Sequence, residues 1–172
     1  MVGYYMISTT IPRHLGIIDG TSQDWIEDVR QQIESGSNFL LMLPNTPDAI
    51  QDFCKVFEME PDCNPTPLPR YSLFSMSQYI DSKSFDELLQ AQNDGKRIVF
   101  VDQLDLALNK PPRLRPYIVY CPIWGIISQH DELRQARDSI EDYSQTLYRL
   151  RPNPDAAIYR WISGKWEILE IP

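Results

Sequence analysis

Phe39-Leu40-Leu41-Met42-Leu43, then Pro44-Asn45-Thr46-Pro47-Asp48, then the segment 49–57: the reading of this stretch decides the fold class. Five consecutive apolar residues have the length of a strand. Their lack of alternation predicts burial on both faces, as in sheets covered by helices. Thr46 then offers a capping hydroxyl, Pro47 takes a first helical position where its missing N–H is no loss, and Asp48 faces the positive end of the helix dipole. Ile50, Phe53, Cys54 and Phe57 recur at i, i+3, i+4, i+7, which is one helix face. Strand followed by helix is the unit of an α/β rhythm.

Working outward, Tyr4–Ile11 is rich in Tyr, Ile and Thr and closed by Pro12, and predicts a first strand. Thr21 or Ser22 is expected to cap a helix through Glu34, with Trp25, Val29 and Ile33 on its inner stripe and Gly36 at its C-terminal end. Pro61–Pro69 holds four prolines in nine residues, which predicts a stiff loop over a sheet edge or pocket. Arg70–Met76 reads as a further strand. Ser84 with Glu87 forms a capping box for a short helix, Asp94-Gly95 a turn, and Arg97–Asp102 a strand. Leu104–Leu108 reads as a helical turn before Lys110-Pro111-Pro112, and Tyr117–Cys121 and Ile123–Ser128 as two strand-like stretches around Pro122, with a single bent edge strand as the alternative.

Asp131–Leu150 is the clearest helix, with Ser128 as its expected cap. Leu133, Ala136, Ile140, Tyr143, Leu147 and Leu150 make a single seam, and Arg134/Asp138 and Arg137/Glu141 are expected as surface pairs. A coiled coil would use the same spacing, but three heptads are few and packing within the chain is expected. The chain ends in a hairpin, Ile158–Ile162 and Lys165–Leu169 about Ser163-Gly164. That two-residue turn pairs Trp161 with Trp166, Tyr159 with Ile168, Arg160 with Glu167 and Ile158 with Leu169. The expected fold is therefore α/β or α+β. It is a two- or three-layer sandwich around a mixed sheet of about five to seven strands with three or four helices. One globular domain spans 1–172, with the Pro-rich loop at 61–69.

Composition narrows the function classes. The chain of 172 residues carries a net charge of −8, so nonspecific affinity for nucleic acid or anionic lipid is not expected. The three cysteines, Cys54, Cys63 and Cys121, show no paired spacing and suit a reducing compartment. With no signal-peptide pattern and no apolar run of membrane length, a cytoplasmic location is expected.

Chemistry-bearing motifs are scarce. Seven scattered glycines cannot build a phosphate-cradling loop, and two histidines without Cys-x-x-Cys give no zinc set; no cofactor or metal is expected. Cys121 ends an apolar strand, and Asp102 and Asp105 follow another, positions where α/β enzymes place functional groups. A site at strand C-termini would draw on Cys121, Asp102, His130 and Asn45. A sensory domain would instead hold a small anion at the Thr46 helix start or at Arg113 and Arg115.

One charge anomaly favours surfaces over catalysis. Between Asp105 and Asp131 there is no acid, while Lys110, Arg113 and Arg115 cluster in a Pro-bounded loop beside Leu114 and Tyr117. Arg and aromatic residues are favoured in interfaces. Trp161 and Trp166 of the hairpin form a second candidate patch. The expectation is a non-catalytic interaction or regulatory domain that docks a protein partner, or another copy of itself, through the Lys110–Tyr117 loop, the Pro61–Pro69 loop or the terminal hairpin.

Overall fold

The computed structural model describes residues 14–56, 73, 76–148 and 156–171. The chain is organised as two compact units, Arg13–Leu108 and, with the N-terminal segment, Asn109–Pro172.

The first unit is built on a three-stranded sheet of order β1-β2-β3, from β1 (Gly16–Asp19), β2 (Phe39–Leu43) and β3 (Arg97–Val101). β1 and β2 are parallel, joined by helix α1 (Trp25–Ser35), whereas β3 returns antiparallel to β2. β2 is central, which is why its run needs no alternation: Phe39, Leu40, Leu41 and Leu43 are all buried. Around it pack Ile18, Val29, Ile33, Phe53, Val99, Val101 and Leu106. Each such side chain contributes about 1.5–3 kcal/mol of burial.

Helix ends follow local chemistry. α2 (Pro47–Val56) starts as its sequence predicts, with the Ala49 N–H donating to Thr46 Oγ1 at 3.3 Å. α1 does not use Thr21 or Ser22 as its cap. Thr21 turns its hydroxyl to Asp19 Oδ1 at 2.7 Å, closing the turn after β1 and drawing the Asp19 carboxyl below its usual range. The helix begins after Asp24 instead and ends at Gly36, whose φ of 78° is the left-handed conformation that glycine supplies. α3 (Ser82–Asn93) is capped by Asp81, which accepts the Ser84 N–H at 2.9 Å, so Ser84 is the third helical residue and not the cap. A polar lock joins the turn after β3 to the residues before β2. Buried Gln103 accepts no exposure: its N–H donates to Asn38 Oδ1 at 2.9 Å and its Nε2 to Ser37 O at 2.7 Å.

The second unit is a four-stranded antiparallel sheet of order β5-β4-β6-β7. Its strands are β4 (Tyr117–Cys121), β5 (Gly125–His130), β6 (Ala157–Ile162) and β7 (Lys165–Glu170). Helix α4 (Leu133–Tyr148) packs on β4, β5 and β6 and buries Ala136, Ile140 and Tyr143, so its seam serves the unit's own core. Its first turn is closed by Gln135, whose Oε1 accepts the Glu132 N–H at 3.3 Å; Ser128 lies on β5 and is not the cap. Arg137 bonds Glu170 on β7, with Nε 3.1 and 3.0 Å from the two carboxylate oxygens, in place of the expected helical pair with Glu141.

Three further expectations are corrected. The strands form two sheets, one mixed and one antiparallel, and not a single mixed sheet. The chain between β3 and β4 holds a 3-10 turn, Gln103–Asp105, and then Pro111, Pro112 and Pro116, which cannot donate to a ladder. Tyr117–Cys121 and Gly125–His130 are two antiparallel strands joined at Pro122–Trp124, not one bent strand, because Gly125 supplies a φ of 104° for the reversal. Leu73, within the expected strand Arg70–Met76, is helical and buried. The expected strand Tyr4–Ile11, Phe57, the loop 61–69 with Cys63, and Leu150 lie outside the described residues. Among those described, no helix is long and apolar enough to cross a membrane.

Candidate functional site

At one end of the second sheet the strands β5 and β6 finish, β4 and β7 begin, and the segment Asn109–Pro116 runs across them. Its turn is closed by Lys110 O, which accepts the N–H groups of Arg113 at 2.9 Å and Leu114 at 3.3 Å. Three bonds fasten it to the sheet. The Trp166 indole Nε1–H donates to Asn109 O at 2.6 Å, the Trp161 N–H to Pro116 O at 3.1 Å, and the Arg115 N–H to Gln129 Oε1 at 3.0 Å. Leu114 points inward and is buried, so it anchors the segment and is not an exposed contact. The segment is a strap, fixed to β5, β6 and β7.

The hairpin under the strap is set by its turn. Ser163 and Gly164 have φ of 53° and 84°, both positive, as the two-residue turns that match strand twist require. Trp161 therefore faces Trp166, Tyr159 faces Ile168 and Arg160 faces Glu167, as the sequence predicts. A register shift between Ile158 and Tyr159 then brings Glu170, not Leu169, opposite Ile158. The two indoles meet edge-to-face with centroids 5.2 Å apart.

All six sequence-predicted site residues lie at this end, with Tyr117 on the face of the sheet opposite to Trp161 and Trp166. Lys110, Arg113 and Arg115 are exposed on the strap. The Arg113 guanidinium donates to Asn109 Oδ1, and Arg115 pairs with Asp131 at 3.0 Å, both largely exposed. Tyr117 lies under the Arg160 guanidinium, 5.5 Å from the ring centroid. Trp161 and Trp166 are half-buried, with the Trp166 indole tied to the strap through Asn109 O. Sequence reasoning missed Asn109, Gln129 and Arg160, which hold the arrangement together. Only Arg160, cross-strand from Glu167 in a legible hairpin, left a signal.

Charge divides unevenly between the two units. Residues 13–108 carry seven Lys or Arg against sixteen Asp or Glu, and residues 109–172 carry nine against eight. The chain's −8 thus resides in the first unit, and the second is close to neutral. Lys110, Arg113 and Arg115 are exposed on the strap, with Arg115 paired to Asp131, whereas Arg160, Lys165 and Glu167 project from the face of the hairpin opposite to Trp161 and Trp166.

The groups proposed for catalysis are arranged differently. Cys121 pairs with Gly125 and His130 with Tyr117, so the two sit at opposite ends of the β4–β5 ladder. Four residues of strand separate them, about 13 Å. Asp102 belongs to the other unit, where its carboxylate accepts the Leu104 N–H at 2.9 Å and closes the 3-10 turn. Asn45 is exposed there, and Thr46 already caps α2. His130 is engaged in a short polar chain: Nε2 lies 2.7 Å from Ser128 Oγ, itself 2.5 Å from the buried Ser139 Oγ on α4. Burial, reinforced by Arg115 and opposed by Asp131, holds the imidazole below its usual pKa. Among the described residues no group of three or more His, Cys, Asp or Glu side chains is placed to hold a metal ion.

Comparison with protein-family models, with curated proteins and with solved structures finds no match.

Proposed function

We propose that the chain is a non-catalytic interaction module that docks a protein partner through the strap and hairpin of its second unit. The observation that carries this reading is convergence. Two sequence features about fifty residues apart, a basic Pro-bounded loop and a tryptophan pair, are joined into one surface by the Trp166–Asn109 and Trp161–Pro116 bonds. Half-exposed aromatic rings beside arginine are the side chains that dominate binding energy in protein interfaces. The strap is held at several points along its length, so little conformational entropy is lost when a partner seats on it. The separation of Cys121 from His130 supports this reading over an enzyme that would use both.

Site-specific photo-crosslinking tests it. A photoreactive residue replaces Lys110 or Trp161, with Asp138, exposed on α4, as the control position. Discrete adducts at 110 and 161 but not at 138 are expected in cell extract. Equal labelling at all three positions, or none, overturns the reading.

A further inference from the structure

We infer that the partner segment adds to the second sheet as a further strand, antiparallel to β7, along the outer edge of the hairpin. This rests on the docking reading above and names the chemistry of the occupant. Among the described residues β7 is an edge strand, with β6 as its neighbour. The Trp161 N–H is engaged by Pro116 O, on the side of β4. Trp161 and Trp166 therefore form the kind of opposed pair that exchanges no hydrogen bonds, and Trp166 turns its own N–H and C=O away from β6. Ile168, two residues on, does the same. A row of outward backbone groups is a template for another strand. The apolar side chains gather at the same edge. Among the described residues the large hydrophobics left exposed are Ile168, at 54%, and Ile171, at 71%, on β7 and just past its end. At the opposite edge, β5, none is exposed.

Register dictates what the added strand carries. Trp166 and Ile168 lie on one face of the sheet, Lys165 and Glu167 on the other. The occupant thus alternates apolar residues, opposite Trp166 and Ile168, with charged ones, opposite Lys165 and Glu167. Opposite charges directly across a ladder stabilise it and like charges do not, so an acid faces Lys165 and a base faces Glu167. Lys165 and Glu167 bridge each other at 3.3 Å, but both side chains are largely in water, where such a pair is weak. Antiparallel pairing is the stronger per residue and is used throughout this sheet. From its N-terminus the segment then reads apolar, Lys or Arg, apolar, Asp or Glu. The regular edge ends after Ile168, where the register shift brings Glu170 opposite Ile158. A second copy of β7 fits less well. Its Lys165-Trp166-Glu167 matches in charge about a two-fold axis at Trp166, but that register sets Ile168 against Gly164, whose φ of 84° belongs to a turn.

The test uses the full chain and fluorescein-labelled peptides of about ten residues with the core Val-Lys-Val-Glu, read by anisotropy. One control exchanges Lys and Glu. Two others carry N-methyl groups, either on both Val nitrogens, which face β7, or on the Lys and Glu nitrogens, which face away. The parent peptide is expected to bind and to slow amide exchange at Trp166 and Ile168. Charge exchange should weaken it about threefold to tenfold, and Val N-methylation at least tenfold, whereas Lys and Glu N-methylation is tolerated. Ile168→Pro, which removes an outward N–H and leaves the β6 ladder intact, should abolish binding, and Ile168→Val should retain it. Circular dichroism checks that both variants fold, and the N-methyl pair decides on the unaltered chain in any case. No binding up to about 1 mM, or equal loss from both N-methyl patterns, overturns the inference. A dimer in sedimentation that Ile168→Pro dissociates also overturns it, in favour of a second copy. The crosslinking experiment separates the two readings. Adducts at 110 and 161 with a failed peptide series retire strand addition and leave docking standing, whereas no adducts retire both.

Discussion

The three-stranded sheet and the terminal hairpin spend their large apolar side chains in opposite ways. In β2 every residue but Met42 is buried, and the strand is flanked by partners on both edges. In β6 and β7 the aromatic residues are half-buried and Ile168 is largely in solvent. A side chain removed from water on all sides stabilises the fold; one left partly wet keeps part of that free energy for a later contact. The two regions therefore illustrate a division between holding the molecule together and offering a surface.

Truncation should separate them most sharply. Phe39→Ala, at a site with 0% exposure, is expected to cost about 3–5 kcal/mol in urea unfolding, against less than about 0.5 kcal/mol for Ile168→Ala. Similar losses would erase the contrast. Next is Asn109→Ala, which removes the buried acceptor of the Arg113 guanidinium. A loss of about 1.5–3 kcal/mol is expected, measured by the same unfolding curve, with the Trp166 bond to the Asn109 backbone carbonyl kept. Gly164→Ala should cost about 1–2 kcal/mol through backbone strain alone, since its φ is 84° and a methyl group there meets nothing within 4 Å. A neutral result would mean that the turn does not set the hairpin.

Smaller effects test the electrostatics. His130 has its pKa lowered in the folded state from an ordinary 6.5, chiefly by burial. The unfolded chain then binds the proton first, so the contribution is present above pH 6.5 and is lost as pH falls through the lower folded value. Stability followed by chemical denaturation should decline across that window, and His130→Asn should flatten the decline. A slope unchanged in the variant would place its source elsewhere. Smallest of all, Lys110→Glu should leave the unfolding midpoint within about 0.5 kcal/mol of the original, because the side chain is exposed. A larger loss would make the strap's charge structural.

How much of this was legible depended on how local the cause was. The β2–α2 segment and the hairpin could be read because their signals are contiguous: an unbroken apolar run, Thr46-Pro47, and Ser163-Gly164. The same locality revealed the six candidate residues as two separate groups. Their union could not be read, because it is made by backbone carbonyls at Asn109 and Pro116, and any residue type carries a carbonyl. The Thr21 cap failed because Asp19 accepts both its N–H and its hydroxyl, which draws the residue into the turn after β1. The split into two sheets was hidden for another reason. Strand order depends on pairings between distant segments, and only the prolines at 111, 112 and 116 hinted at a break.

The edge-to-face contact of Trp161 and Trp166 has an optical consequence. Two indoles at 5.2 Å couple their electronic transitions, so the pair should contribute a bisignate band to the circular dichroism spectrum that an isolated indole does not produce. Of the other described tryptophans, Trp124 is enclosed in the interior of the same unit and Trp25 lies on α1. The strap end thus carries its own chromophore, and anything that tilts one ring against the other would be seen without a label.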